Sequence, residues 1–124
     1  MTIHIYGIKN CSTMKKAMTW LTEHGIHPEF HDYKKTGADP QRLAQWCKTL
    51  GWRALINTRG TTWRTLSATE QQAADTAEGA IALMVARPSL IRRPVLETPS
   101  GRLLVGFDPE TYTQTLQPSG TITP

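Results

Sequence analysis

The junction at residues 6–16, reading Tyr-Gly-Ile-Lys-Asn-Cys-Ser-Thr-Met-Lys-Lys, constrains the fold of this chain more than any other stretch. Ahead of it, residues 2–6 are apolar and β-branched and predict a buried strand. Behind it, Met14, Ala17, Met18 and Leu21 recur at i, i+3, i+4 and i+7, the stripe of an amphipathic helix over about 11–24. Gly7 permits a sharp turn between the two, and Asn10 is the N-cap candidate. The pattern therefore sets Cys11 in the first turn of a helix behind a central strand.

The first amides of a helix have no intrahelical acceptor, and the helix dipole adds partial positive charge there. Both favour a thiolate, so a cysteine at this position titrates low and reacts readily. Lys9, Lys15 and Lys16 add positive charge nearby. Cys11 is thus either a reactive thiolate or a small buried apolar residue. The pH dependence of its alkylation separates the two.

The chain has 124 residues, with 14 Lys+Arg against 10 Asp+Glu and a formal net charge of +4. That dispersed, modest excess suits a small anionic ligand rather than direct contact with nucleic acid. No apolar run approaches membrane-spanning length and the N-terminus lacks signal-peptide shape, so a cytoplasmic monomer with no membrane contact is expected. Cys11 and Cys47 allow one pairing, which a reducing cytosol disfavours as a structural bridge. Four scattered histidines give no ligand spacing, so no metal is expected, and His4 and His31 read as lone strand residues without a partner. Residues 117–124 are polar and breaker-rich, the composition of a disordered tail after a domain at 1–116.

Gly25 and Pro28 end the first helix, and residues 29–33 alternate as a second strand, closing a parallel βαβ unit. Residues 34–38 read as a loop. Asp39 and Pro40 then open a helix with Leu43, Trp46, Cys47 and Leu50 on one face, where Cys47 is an inert core thiol. Residues 52–64 read as short helical turns joined at Gly60 and anchored by Trp52 and Trp63. Their three arginines are either a solvated surface or the source of one guanidinium for an anion site. Ser67 and Glu70 form a capping-box pattern that starts a helix to about Ala86, with Ala73, Ala77, Ile81 and Met84 inward. A short turn at 89–92 precedes a hairpin, 95–98 and 102–106, and a last helix opens at Asp108-Pro109 with Phe107 and Tyr112 as a hydrophobic staple. The order predicts an α/β, thioredoxin-like fold: a mixed four-stranded sheet with a helical insertion, about 36–90, before the C-terminal β-hairpin.

Cys11 behind the first strand, Asn57-Thr58-Arg59 and Ile91-Arg92-Arg93-Pro94-Val95 together resemble the ArsC/Spx family over nearly the whole chain. Tyr6-Gly7-Ile8-Lys9-Asn10-Cys11, Phe30-His31-Asp32-Tyr33 and the run from Leu55 to Arg64 resemble its YffB-like branch. The resemblance implies thiol chemistry at Cys11, an anion held by Arg59 and Arg93, a cis peptide before Pro94, and a binding site that includes Asn10, Ser12 and Thr13. In the family's arsenate reductases the cysteine attacks arsenate and glutathione then attacks the adduct. Here Gly7 stands where those enzymes carry a histidine, Met14 replaces a serine, and a third arginine has no clear match, Arg102 being offset. The reading these residues favour is a glutathione-dependent thiol reductase, with glutathione as co-substrate and a glutathionylated disulfide as partner. The alternatives are a glutathione-coupled arsenate reductase and a non-enzymatic Spx-like regulator that binds RNA polymerase. Met14 removes the Cys-x-x-Cys switch of the latter.

Overall fold

A central strand, β1 (His4–Gly7), carries the rest of the molecule. The computed structural model describes residues 2–9 and 11–116. β1 pairs in parallel with β2 (Glu29–Asp32) and antiparallel with β3 (Val95–Glu97), which pairs antiparallel with β4 (Leu103–Val105). The sheet order is β2-β1-β3-β4, the mixed four-stranded sheet expected of a thioredoxin-like fold.

Alternation along β1 sends its side chains to two cores. Ile5 and Leu96 face α1 (Ser12–Glu23) and α8 (Pro109–Leu116), packing with Met14, Ala17, Leu21 and Tyr112. Tyr6 and Val95 face the helical insertion and pack with Leu43, Trp46, Leu55, Leu83, Met84, Leu90 and Ile91. Each fully buried aliphatic side chain of this kind contributes about 1.5–3 kcal/mol. Trp20 joins the first core, where the periodicity had placed Met18; Met18 is only half-buried.

α1 ends as the sequence predicts. Gly25 has φ 75°, the Ile26 amide donates to the Leu21 carbonyl and the Gly25 amide to Thr22, closing a Schellman motif. The staple at the last helix also forms, with Phe107 and Tyr112 rings 5.0 Å apart.

Three local expectations need correction. Gly7 makes no turn: it is the last residue of β1, and a Cβ there would collide with the Met14 thioether. The loop expected after β2 begins instead with a single helical turn, α2 (Tyr33–Thr36), because the Asp32 carboxylate caps the Lys34 amide. After α3 (Pro40–Leu50), α4 (Trp52–Leu55) and α5 (Thr61–Arg64), the helix expected from Ser67 is two, α6 (Ala68–Ala73) and α7 (Ala77–Ala86). The Ser67–Glu70 capping box starts α6, but Thr76 caps the Gly79 amide and starts a second helix. The Ala74 carbonyl freed at the break accepts from Trp52 Nε1 at 2.8 Å. The break turns α7 so that Ala80, Leu83 and Met84 are buried, while Ala73 is exposed. A 3-10 turn (Pro88–Leu90) leads into β3.

The two strand histidines also differ from expectation. Parallel pairing sets His4 opposite Glu29 and Tyr6 opposite His31, and the His4 and His31 rings meet with Nδ1 and Nε2 2.9 Å apart.

Candidate active site at the first helix terminus

β1 delivers the chain to Cys11 at the start of α1. Cys11 is the N-cap residue itself, with extended φ −122° and ψ 129°, and not a member of the first turn. The correction strengthens the chemistry, because the N-cap side chain is the one that faces the free N2 and N3 amides. Asn10, expected as cap and ligand, lies outside the described residues.

A cleft of about 210 Å³ opens over the sulfur, lined by Cys11, Thr13, Asn57, Ile91, Arg92, Arg93 and Gly106. Remote segments meet here for a definite reason. Ile56 and Ile91 form an isolated antiparallel bridge, with the Asn57 amide on the Leu90 carbonyl and the Arg92 amide on the Leu55 carbonyl, both at 2.7 Å. This suture fixes Asn57 beside Arg92 and Arg93. The Arg93–Pro94 peptide is cis, and the buried Pro94 gives its carbonyl to the Gly106 amide at 2.8 Å, bringing β4's end to the cleft.

Arg93 is held from behind, donating from Nη1 to the Ser89 carbonyl at 3.1 Å. Ser89 is tied in turn to α5, its hydroxyl 2.8 Å from that of Thr62. The buried Nε of Arg93 has no hydrogen-bond partner among the described residues. Two guanidinium-bearing residues and a helix end therefore surround the cleft, and among the described residues its lining holds no carboxylate.

These groups act on the thiol. Partial burial pushes the Cys11 thiol up, but the Met14 amide, the Arg93 guanidinium and the Thr13 amide together hold it below the ordinary thiol value. Cys47 behaves in the opposite way: burial alone pushes it up. It packs with the insertion-side core, across the sheet from the core that Cys11 contacts. Both cysteines are free.

Of the residues expected at the site, Cys11, Thr13 and Arg93 are brought together. Ser12 is exposed at the first helical position and does not line the cleft, and Pro94 contributes backbone geometry. Arg59 is also exposed and outside the lining. Its amide donates to Asn57 Oδ1 at 3.0 Å, a local turn that brings Asn57 to the cleft and carries Arg59 past it. Asn57 and Arg92 were quoted in the family motifs without a role; their signal was present, and only the loop geometry was missing. Among the described residues, no helix is long and apolar enough to cross a membrane.

The ArsC family profile matches residues 6–115. An uncharacterised protein of Haemophilus influenzae is 40% identical over 110 residues, covering 89% of this chain and 95% of the relative. The solved YffB protein is 50% identical with a TM-score of 0.88, covering 94% of this chain and 100% of that one. An arsenate reductase (ArsC) related protein from Brucella melitensis is 48% identical with a TM-score of 0.72, covering 94% and 96%.

Proposed function

The chain belongs to the ArsC family, and from that premise we propose that it is a glutathione-dependent thiol–disulfide reductase with Cys11 as nucleophile. The observation that carries this reading is geometric: Cys11 sits at the N-cap of α1, in a cleft that Arg92 and Arg93 line and whose described lining holds no carboxylate.

The reaction runs in two exchanges. The Cys11 thiolate attacks the glutathionyl sulfur of a mixed disulfide R–S–S–G. A Cys11–glutathione disulfide forms, and R–S⁻ leaves and takes a proton from solvent. A glutathione thiolate then attacks the glutathionyl sulfur of that intermediate, forming oxidised glutathione and returning the Cys11 thiolate. The sum is one mixed disulfide reduced and glutathione oxidised.

An external thiol is required by the chain's own residues. Met14 stands where a Cys-x-x-Cys partner would, and Cys47 packs across the sheet. Arg92 and Arg93 suit the carboxylates of glutathione, and a guanidinium offers paired donors where geometry allows. Turnover of a glutathionylated disulfide, followed by the appearance of oxidised glutathione, tests the reading. Cys11→Ser must abolish it; retained turnover in that variant ends the proposal.

A second reading, arsenate reduction, is favoured by one observation: Arg92, Arg93 and the amide end of α1 surround the cleft over Cys11. The departures at Gly7 and Met14 weigh against it. Arsenate-dependent oxidation of glutathione, measured beside the disulfide assay, decides between them.

A further inference from the structure

We infer that His4, Glu29 and His31 form a binding site for a divalent transition-metal ion of the zinc class, at the end of β1 remote from Cys11. Their ligand atoms all lie within 4.8 Å of one another. His31 Nε2 is the shared centre, 2.9 Å from His4 Nδ1 and 3.4 Å from Glu29 Oε2. Donors around a tetrahedral zinc ion, at metal–ligand distances near 2.1 Å, stand roughly 3.4 Å apart. The His31–Glu29 pair already stands at that spacing, the two imidazole nitrogens need to part by about half an ångström to reach it, and the exposed Glu29 carboxylate, within 4.8 Å of both, is free to swing onto an ion.

The backbone sets this convergence. Parallel pairing puts His4 opposite Glu29, and His31 projects on the same face two residues on. The His31 ring is also braced from below: it stacks on Tyr6 at 4.5 Å and 14°, and Tyr6 is wedged edge-on against Trp46 at 4.9 Å. Two facing imidazole nitrogens 2.9 Å apart share one hydrogen between them. An ion replaces that arrangement when each ring keeps its proton on the far nitrogen, so two neutral imidazoles bind without losing a proton. Glu29 and the opposing Glu97 of β3 supply negative charge, while Arg42 of α3, 4.9 Å over the Tyr6 ring, supplies the opposing positive charge. Imidazole with one carboxylate suits Zn²⁺, Co²⁺ and Ni²⁺ and leaves a position open to water. Glu29 is exposed and both histidines are half-buried, so the site is reached from solvent.

The site does not depend on the reductase reading, since it shares no residue with the Cys11 cleft. The test is calorimetric titration of Zn²⁺ into the full-length Cys11→Ser protein, with Co²⁺ absorption as the probe of ligand type. One ion per chain is expected, with tetrahedral Co²⁺ bands that lack a thiolate charge-transfer component. Glu29→Gln and His4→Ala should each weaken binding by about tenfold or more, the lower range even for loss of an outer hydrogen bond to a ligand. Both changes sit at the sheet rim, and thermal midpoints check that the fold survives. No binding by the Cys11→Ser protein, or binding unaffected by both rim variants, overturns the inference.

Discussion

Gly7 and Met14 share one volume: the space that a side chain at Gly7 would occupy is filled by the Met14 thioether, which is buried at 2% exposure. The two departures from the arsenate-reductase pattern, a missing histidine and a missing serine, are therefore linked by packing. Gly7→Ala should destabilise by about 1–3 kcal/mol, the usual cost of overfilling a packed core. The same change in a Met14→Ala background should cost clearly less, because the colliding atoms are gone. Denaturant midpoints of the four proteins give the coupling; equal costs in both backgrounds would refute the shared volume.

The Cys11 thiol is held low in the folded chain, which ties stability to pH. A depressed folded value means the unfolded chain binds more protons between that value and the ordinary thiol value. Stability from this group is thus present above the ordinary thiol value and is lost as pH falls through the lowered one. Wild type minus Cys11→Ser should show an unfolding free-energy difference that grows as pH rises through this window. Arg93→Ala should shrink the growth and move the pH midpoint of Cys11 alkylation upward. A flat difference, or an alkylation midpoint at the ordinary thiol value in wild type, would contradict the assignment.

Gly79 inverts the usual helix rule. It lies in the first turn of α7, where replacing glycine by alanine ordinarily gains about 1 kcal/mol. Here a Cβ would strike the Ala73 carbonyl at the end of α6, backbone that cannot swing aside. Gly79→Ala should therefore lower the thermal midpoint, whereas a rise would mean that α6 and α7 are not folded back on each other as described.

What the residues disclosed and what they withheld divide along one line. The strand, α1 with its Gly25 ending, the Asp39-Pro40 start, the hairpin and the Phe107–Tyr112 staple all rest on neighbours within a few positions, so pattern and cap chemistry suffice. The break at residues 74–76 was missed because an alanine-rich run favours one helix, whereas the bond that takes up the Ala74 carbonyl comes from Trp52, 22 positions away. The His4–His31 contact spans 27 positions and exists only through the parallel register. Cys11 was legible as a candidate because the Thr13 and Met14 amides that face it are its near neighbours in sequence. Its basic neighbours were legible as types, but which arginine arrives was decided by the Ile56–Ile91 bridge and the Asn57 turn.

Cys47 should be dispensable for turnover. It is half-buried in the insertion-side core with its thiol pushed up by burial, so it is neither ionised at neutral pH nor placed to resolve a Cys11 disulfide. Cys47→Ala should leave glutathione-supported reduction unchanged, and mass spectrometry of the oxidised protein should find glutathione on Cys11 rather than a Cys11–Cys47 bridge. Loss of turnover with a bridge in wild type would replace the external-thiol scheme by an internal one.

The two arginines named by the family pattern should separate cleanly. Arg93 faces the sulfur, where its guanidinium hydrogen-bonds the Cys11 thiolate, and is anchored on the Ser89 carbonyl. A charge-assisted hydrogen bond of this kind is worth about 1.5–3 kcal/mol, so Arg93→Ala should lower kcat/KM by roughly ten- to a hundredfold. Arg93→Lys should recover only part, since an ammonium lacks the guanidinium fork. Arg59 is exposed beyond the cleft, and Arg59→Ala should change kcat/KM by only a few-fold, through the long-range field. Asn57→Ala should hurt more than Arg59→Ala, because it removes both a lining side chain and the acceptor that turns the loop. If Arg59→Ala proves as damaging as Arg93→Ala, the loop closes over bound substrate and delivers that guanidinium. Kinetics on the four variants, with thermal midpoints to exclude unfolding, distinguish a fixed cleft from a closing one.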